Sequence, residues 1–253
     1  TWMAENLKTT KYNDGTDIPL VTSSTTWGTL STPAYCWFNN DEATYKVPYG
    51  ALYNWYAINT GKLCPSGWHM PSNTEWTTLQ DYLGGQTVAG GKLKETGTAH
   101  WTTPNTGATN EVYFTALPGG ARGGGGEFNI IGNYGYWWTT NGHSVDPLYA
   151  WGFVLQYNSA AVIRADYYYK RDGFSVPVME SATVGMAPAF FQTSRTTVPL
   201  GLPTRCHPVI VQAKGMIRYC LIPGVITAPA PSIETPRLPA TLPSASSSPG
   251  LPL

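Results

Sequence analysis

Charge is what this chain has least of. Asp, Glu, Lys and Arg make up 12% of its 253 residues and cancel to zero net charge, against roughly 25% charged residues in an average globular protein. No run or stripe of Lys and Arg stands anywhere in it. The electrostatic footprint with which nucleic-acid binders meet phosphate is therefore missing, and no nucleic-acid partner is expected. Long apolar runs are missing too: no stretch of 18 or more apolar residues occurs, so no membrane span is expected in this chain. Cysteine is scarce. Cys36, Cys64, Cys206 and Cys220 allow three pairings, among which spacing does not choose. None shows the paired short spacing of a zinc site, so no metal is expected, while a Cys36 to Cys64 disulfide is the expectation for an oxidising compartment.

The usual catalytic signatures are also absent. No Gly-x-Ser-x-Gly elbow positions a serine, and His69, His100 and His143 have no nucleophile beside them in sequence. Asp146 and Asp166 are the carboxylates of the late aromatic region, so a two-carboxylate glycosidase site would have to recruit Glu111 or Glu127 from elsewhere. The glycine run from Gly119 to Gly126 lacks the Gly-Lys-Ser/Thr ending of a phosphate loop and reads as a turn. Asn13 to Asp17 is a weak acidic loop, far short of the clustered oxygens that calcium needs, and also reads as a turn. No enzymatic activity and no cofactor are expected. The chain opens at Thr1 without an initiator Met, which reads as a fragment or processed product whose targeting signal is not seen.

What is abundant is aromatic: ten Trp and 16 Tyr. Such side chains offer wide, stiff, half-polar contact area at small entropic cost, which suits binding; filling a loop-rich core is the equal alternative. All ten Trp and 13 of 15 acidic residues precede Val176, whereas 13 of 21 Pro fall from Pro177 onward. Two regions follow: residues 1–176, an aromatic domain, and residues 177–253, a low-charge, Pro- and Ser-rich tail expected to be irregular or disordered.

Within the first region, Leu52, Trp55, Tyr56 and Asn59 at helical spacing predict a helix over Tyr49–Asn59, with Gly61 as its stop. Ser72 and Glu75 predict a capping box for a second helix, with Trp76, Leu79 and Leu83 on one face and Gly84-Gly85 at its end. Strands are expected at Val112–Leu117, Tyr134–Thr140, Trp151–Tyr157, Ala161–Ala165 and Gly173–Val176, the third and fourth forming a hairpin around Asn158–Ala160. Of the tyrosines at 167, 168 and 169, at least one must be exposed, because strand side chains alternate. The candidate ligand-binding surface runs from Asn141 to Lys170 and comprises His143, Tyr149, Trp151, Gln156, Tyr157, Arg164, Asp166, Tyr167, Tyr168, Tyr169 and Lys170, aromatic anchors among a few oriented polar groups.

Six motifs in order carry a resemblance: Trp2–Leu7, Tyr49–Trp55, Cys64–Ser72 with Glu75-Trp76, Phe114–Gly120, Ile131–Thr140 and Gly173–Val176. Residues 1–176 resemble the Fibrobacter succinogenes major paralogous domain. The resemblance implies an α+β, C-type-lectin-like fold of two helices and short antiparallel strands, related to the formylglycine-generating-enzyme type and shared by variable proteins of diversity-generating retroelements. It also implies an extracellular or cell-surface protein of Bacteroidetes-like bacteria, an adhesin-like module that binds a protein or carbohydrate ligand. The alternative is a structural surface or fibre-tip component without a ligand of its own. Formylglycine-generating chemistry is not expected, because residues 65–176 contain no cysteine. The family continues Gly-Phe-Ser-Val with Arg-Cys, whereas Val176 here runs into Pro177-Val178. That departure leaves Cys64 without its late partner and makes residues 177–253 look like a shifted reading frame or a fusion to unrelated sequence.

Overall fold

Neighbouring residues on a strand face opposite sides, and in this protein that rule divides two adjacent tryptophans between two cores. The computed structural model describes residues 1–181; residues 182–253, with the expected irregular tail, Cys206 and Cys220, lie outside the described residues. Helices and short antiparallel strands alternate in an α+β arrangement.

From the N-terminus, α1 (Ser24–Trp27) is a single turn capped by Ser23, followed by β1 (Tyr35–Cys36). Asp41 caps α2 (Glu42–Tyr49) by accepting from the Thr44 N–H. The helix stops at Gly50, whose φ of +78° suits glycine and whose absent side chain leaves room for the Leu7 carbonyl. β2 (Leu52–Tyr53) then pairs antiparallel with β1. Asn54, fully buried, caps α3 (Trp55–Ile58) by accepting from Ala57 N–H and Ala34 N–H. The continuous helix expected over Tyr49–Asn59 is thus corrected to a helix end, a strand and a new helical turn. The helical spacing was real over Trp55–Asn59, but Gly50 and the capping Asn54 break the stretch before it.

β3 (Trp68–His69) leads into α4 (Asn73–Tyr82), where Ser72 and Glu75 form the expected capping box. Gly84 and Gly85 take φ of +99° and +95° after it, and α5 (Gln86–Leu93) follows. β4 (Ala121–Arg122) and β5 (Phe128–Asn129) form the hairpin of the glycine run. The three long strands β6 (Tyr134–Gly142), β7 (Tyr149–Gln156) and β8 (Val162–Tyr169) make one antiparallel sheet in that order. β9 (Met179–Glu180) pairs with β3. The strand expected at Val112–Leu117 does not form: Tyr113 and Thr115 sit at positive φ, and Ala116 alone makes a bridge, to Lys94.

The long sheet is covered on both faces. Trp137, Phe153, Leu155 and Val162 face a cluster with Trp76, Leu83, Leu93 and Trp101 from α4, α5 and the following loop. Trp138 and Ala150 face the other way, onto Tyr53, Trp55, Phe174 and Val176. Trp76 stacks on Phe153 at 4.5 Å and Trp138 on Phe174 at 4.3 Å. A third cluster joins Trp27, Ala34, Cys36, Phe38 and Leu52. Seven tryptophans are buried and none is among the exposed large apolar residues, so tryptophan builds the frame. At about 25 cal/mol per Å² each buried indole contributes on the order of 4 to 6 kcal/mol of transfer free energy.

Two buried cations also hold this frame, neither with a carboxylate partner among the described residues. Arg122 is fully buried, donates to the carbonyls of Val21, Thr22 and Gly126, and lies between the rings of Trp27 (4.4 Å) and Phe128 (4.7 Å). Lys94, likewise buried, donates to the carbonyls of Gln156 and Ser159.

The expected Cys36 to Cys64 disulfide is absent; both are free and buried. Tyr35 packs into the same cluster as Cys64, and its strand neighbour Cys36 therefore points to the other side, into the Trp27 cluster. Burial pushes both thiols up to about 12, which keeps them protonated and unreactive. The packed chain runs past Val176: Val178, where the resemblance expects a cysteine, is fully buried in the Cys64 cluster. Its neighbours close the fold on the N-terminal segment, with Met3 N–H donating to Val178 and Leu7 N–H to Val176.

Candidate functional site

The β6–β7 loop, residues 143 to 148, is shaped by two of its own side chains. His143 Nδ1 accepts from the N–H groups of Val145 (3.1 Å) and Asp146 (2.8 Å). Asp146 Oδ1 accepts from Leu148 N–H at 2.8 Å, an Asx-type turn across Pro147. The loop base is closed by His143 N–H to the Tyr149 carbonyl and by Lys170 N–H to the Leu148 carbonyl. With the backbone so tied, the apolar side chains turn outward: Val145 is 86% exposed and Leu148 52%.

Beside the loop, the end of β8 adds aromatic surface. Tyr167 is 66% exposed and Tyr169 38%, whereas Tyr168 points inward, edge-on to Tyr136 (5.8 Å) and Phe174 (5.1 Å). Alternation along the strand thus distributes the three tyrosines two out and one in. Burial raises the Tyr168 hydroxyl well above the ordinary tyrosine range, so it stays neutral. The Tyr149 ring packs on Tyr169 at 4.7 Å, and the Tyr169 side chain beside it raises the Tyr149 pKa. Arg171 lies 4.7 Å over the Tyr169 ring, Lys170 4.5 Å over Trp55, and Asp166 Oδ2 is 3.5 Å from His143 Nε2.

The candidate residues do not form one surface. His143, Tyr149, Asp166, Tyr167, Tyr169 and Lys170 gather at the loop end of the sheet. Gln156 and Tyr157 lie at the opposite end of β7, about 23 Å along the strand, where the Gln156 carbonyl is bound by Lys94 and the Tyr157 carbonyl by Thr106 N–H. Trp151 and Arg164 turn toward α4: the guanidinium sits 5.8 Å from the Trp151 ring and 5.7 Å from Phe153, and donates to Thr77 Oγ1 at 2.8 Å. Three further contributors to the loop end, Val145, Leu148 and Arg171, were not anticipated from sequence. The Asp146-Pro147 pair, a turn signal, was the one hint that the loop would hold its neighbours outward.

Two other arrangements bear on chemistry. Ser181 Oγ stands 3.1 Å from His69 Nδ1, and His69 Nε2 stands 2.9 Å from Glu75 Oε1, the order of a nucleophile, base and acid. Glu75 Oε2, however, is held by the Ser72 N–H and hydroxyl as part of the capping box, and the Ser181 N–H donates to the Gly67 carbonyl. The line of bonds ties β9 to the start of α4. A shallow cleft of about 210 Å³ is lined by Glu5, Asn6, Val47 and Thr115 among others, but the Asn6 side chain is already engaged by the Tyr49 carbonyl and the Trp137 indole. Among the described residues no group of three or more His, Cys, Asp or Glu stands together to hold a metal ion, and Asp14 and Asp17 each face a lysine, Lys62 and Lys11. No helix among them is long and apolar enough to cross a membrane.

Compared with known proteins, residues 1–181 match the family described as the Fibrobacter succinogenes major domain. No curated protein and no solved structure matches the chain.

Proposed function

The chain belongs to the Fibrobacter succinogenes major domain family, and on that footing we propose that it is a recognition module displayed at a bacterial surface, holding its ligand with the loop end of the long sheet. The observation that carries the reading is the exposure of Val145, Leu148, Tyr167 and Tyr169 in the β6–β7 loop and at the end of β8, on a frame that buries seven of its tryptophans. These two aliphatic and two aromatic side chains, with Asp146 bound to Leu148 N–H and Arg171 over the Tyr169 ring, have the composition of an interface centre with a polar rim.

The ligand is a protein surface. Val145 and Leu148 offer no flat ring for a sugar to stack on, whereas aliphatic and tyrosine side chains together fit an apolar protein patch. The frame is a C-type-lectin-like fold, a reading supported by the pairing of the first and last described segments and by helices packed on one face of the long sheet. No catalytic role is assigned.

The test is a capture experiment with the immobilised chain against extracellular proteins of the host environment, run beside a glycan array. Tyr167→Ala with Tyr169→Ala, and separately Val145→Ser with Leu148→Ser, should abolish capture while the thermal melting curve stays in place. Retained capture by both double variants would remove this site. Glycan binding without protein capture would reverse the ligand assignment, and self-association on sizing that the same variants dissolve would favour an assembly role.

A further inference from the structure

One imidazole decides the shape of the loop that carries Val145 and Leu148. Because His143 Nδ1 accepts from two backbone N–H groups, at 3.1 and 2.8 Å, it carries no proton, and the single ring proton is on Nε2, which faces Asp166 Oδ2 at 3.5 Å. A second proton has only Nδ1 to bind. There it would turn an acceptor of two hydrogen bonds into a donor aimed at two donors.

We propose that His143 is a proton switch for this surface: protonation at Nδ1 ejects the Val145 and Asp146 amides, releases the turn they form and remodels the exposed Val145 and Leu148 patch. The consequence for ligand capture, loss of binding in acid, rests on the recognition reading above; the loop rearrangement does not.

The groups around the ring set the balance. From β8, the Asp166 carboxylate faces Nε2 at 3.5 Å. From β7, the Tyr149 ring stands edge-on, with centres 6.4 Å apart. Within the loop, the Asp146 carboxylate is engaged by Leu148 N–H. Following β8, the Lys170 ammonium lies beside Gly142, and Arg171 lies over Tyr169, the partner of Tyr149. Nε2 keeps its proton in both states, so the side of the ring toward Asp166 is undisturbed while the loop amides leave. Among the described residues two backbone hydrogen bonds, Lys170 N–H to the Leu148 carbonyl and Tyr149 N–H to the Asp146 carbonyl, tie the loop interior to its surroundings, so few contacts resist the change.

The experiment is a pH series on the ¹⁵N-labelled full chain between about pH 8 and pH 5, the range in which imidazoles change charge. Ring ¹⁵N spectra should show the Nε2–H tautomer at the upper end. The Val145 and Asp146 amide signals should then move with the same midpoint as the His143 ring. After correction for intrinsic exchange, protection of these amides should fall about tenfold, the ratio that loss of one ordinary hydrogen bond implies. His143→Gln, whose Oε1 accepts but does not titrate here, should give flat profiles for both amides. Amides that stay still while the ring titrates, or an amide transition that survives in H143Q, would overturn the switch; if H143Q fails to fold, the titration of the unsubstituted chain decides alone. Neither readout needs a ligand. A flat titration removes the switch and leaves recognition standing, whereas a full titration beside undiminished capture by Y167A/Y169A removes the recognition reading and leaves the switch.

Discussion

The two ends of the β7–β8 hairpin differ in what holds them. At the Asn158–Ala160 turn, Lys94 donates to the carbonyls of Gln156 and Ser159, Gly91 N–H to Ala160, Thr106 N–H to Tyr157 and Gln86 Nε2 to Val162. Helix α5 and the loop after it grip that turn from outside. At the other end, the β6–β7 loop is tied mainly to itself, through His143 and Asp146. An element gripped by its surroundings has no surface left to offer, whereas one that satisfies its own backbone can present side chains outward. The contrast separates the part of the sheet that stabilises from the part that recognises.

The sharpest way to break this comparison is to loosen the gripped end. A Cβ at Gly91 would collide with the Gly107 carbonyl, and one at Gly90 with the Ala161 carbonyl. Gly91→Ala should therefore cost about 3 kcal/mol or more, as overpacking against immobile backbone does. Lys94→Ala strands two buried carbonyls and leaves a void under Trp101, which should cost a similar amount, about 3 kcal/mol. Urea unfolding monitored by tryptophan fluorescence would measure both. If either variant unfolds within about 1 kcal/mol of the unsubstituted chain, the grip is not what stabilises that end.

The tyrosine triplet sharpens the comparison within a single strand. Tyr168→Ala removes a ring packed on Tyr136, Trp138 and Phe174 and should cost about 2 to 3 kcal/mol. Tyr167→Ala, at 66% exposure, should stay within about 0.5 kcal/mol. Equal losses from the two would contradict the observed alternation.

Asp172 provides a pH test just beyond the display end. Burial raises its carboxyl to about 7, against backbone N–H bonds from Tyr169 and Gly124 that act the other way. A carboxyl whose folded pKa lies above its unfolded value of about 3.9 binds a proton more readily when folded. Its contribution is thus most favourable below the unfolded pKa and declines as pH rises through about 7. Asp172→Asn should erase that decline and raise stability at neutral pH by on the order of 2 kcal/mol. Urea midpoints for both proteins on the acid and neutral sides of that interval would show it; parallel pH dependences would mean that Asp172 does not titrate as placed.

Much of this organisation could be read from local residues, and its failures share one cause. The Ser72/Glu75 capping box, the Gly84-Gly85 stop and the β7–β8 hairpin depend on neighbours in sequence, and they form as expected. The helix expected over Tyr49–Asn59 failed because its apolar spacing is shared by a strand and a separate helical turn: Gly50 and the capping Asn54 divide the stretch, and Leu52–Tyr53 finds its strand partner in the distant Tyr35–Cys36. Val112–Leu117 carried β-forming residues, but its neighbours bind it through the Asn110 side chain and Lys94 rather than a ladder. Arg122 and Lys94 could not be recognised as buried from sequence, because the carbonyls that satisfy them come from positions 62 to 101 residues away, apart from Gly126. In the candidate site the tyrosine alternation was legible, but which parity faces solvent was not, since both sides of the sheet are covered.

The smallest effect on stability should come from the residues assigned the largest role in recognition. Val145→Ser with Leu148→Ser replaces side chains that are 86% and 52% exposed and leaves the His143 and Asp146 bonds untouched, since those are made by backbone N–H groups. Surface changes away from caps and buried partners usually stay within about 0.5 kcal/mol, which for a domain of this size is about 1 to 2 °C in Tm. Differential scanning calorimetry would resolve that from the several degrees expected of Lys94→Ala. A large drop on serine substitution would mean that Val145 and Leu148 are packing against something within the chain, and the distinction between a gripped end and a displayed end would fail at the displayed one. An unchanged Tm together with lost capture would mean that their exposure serves binding alone, because side chains that add nothing to folding stability would still be required for the ligand.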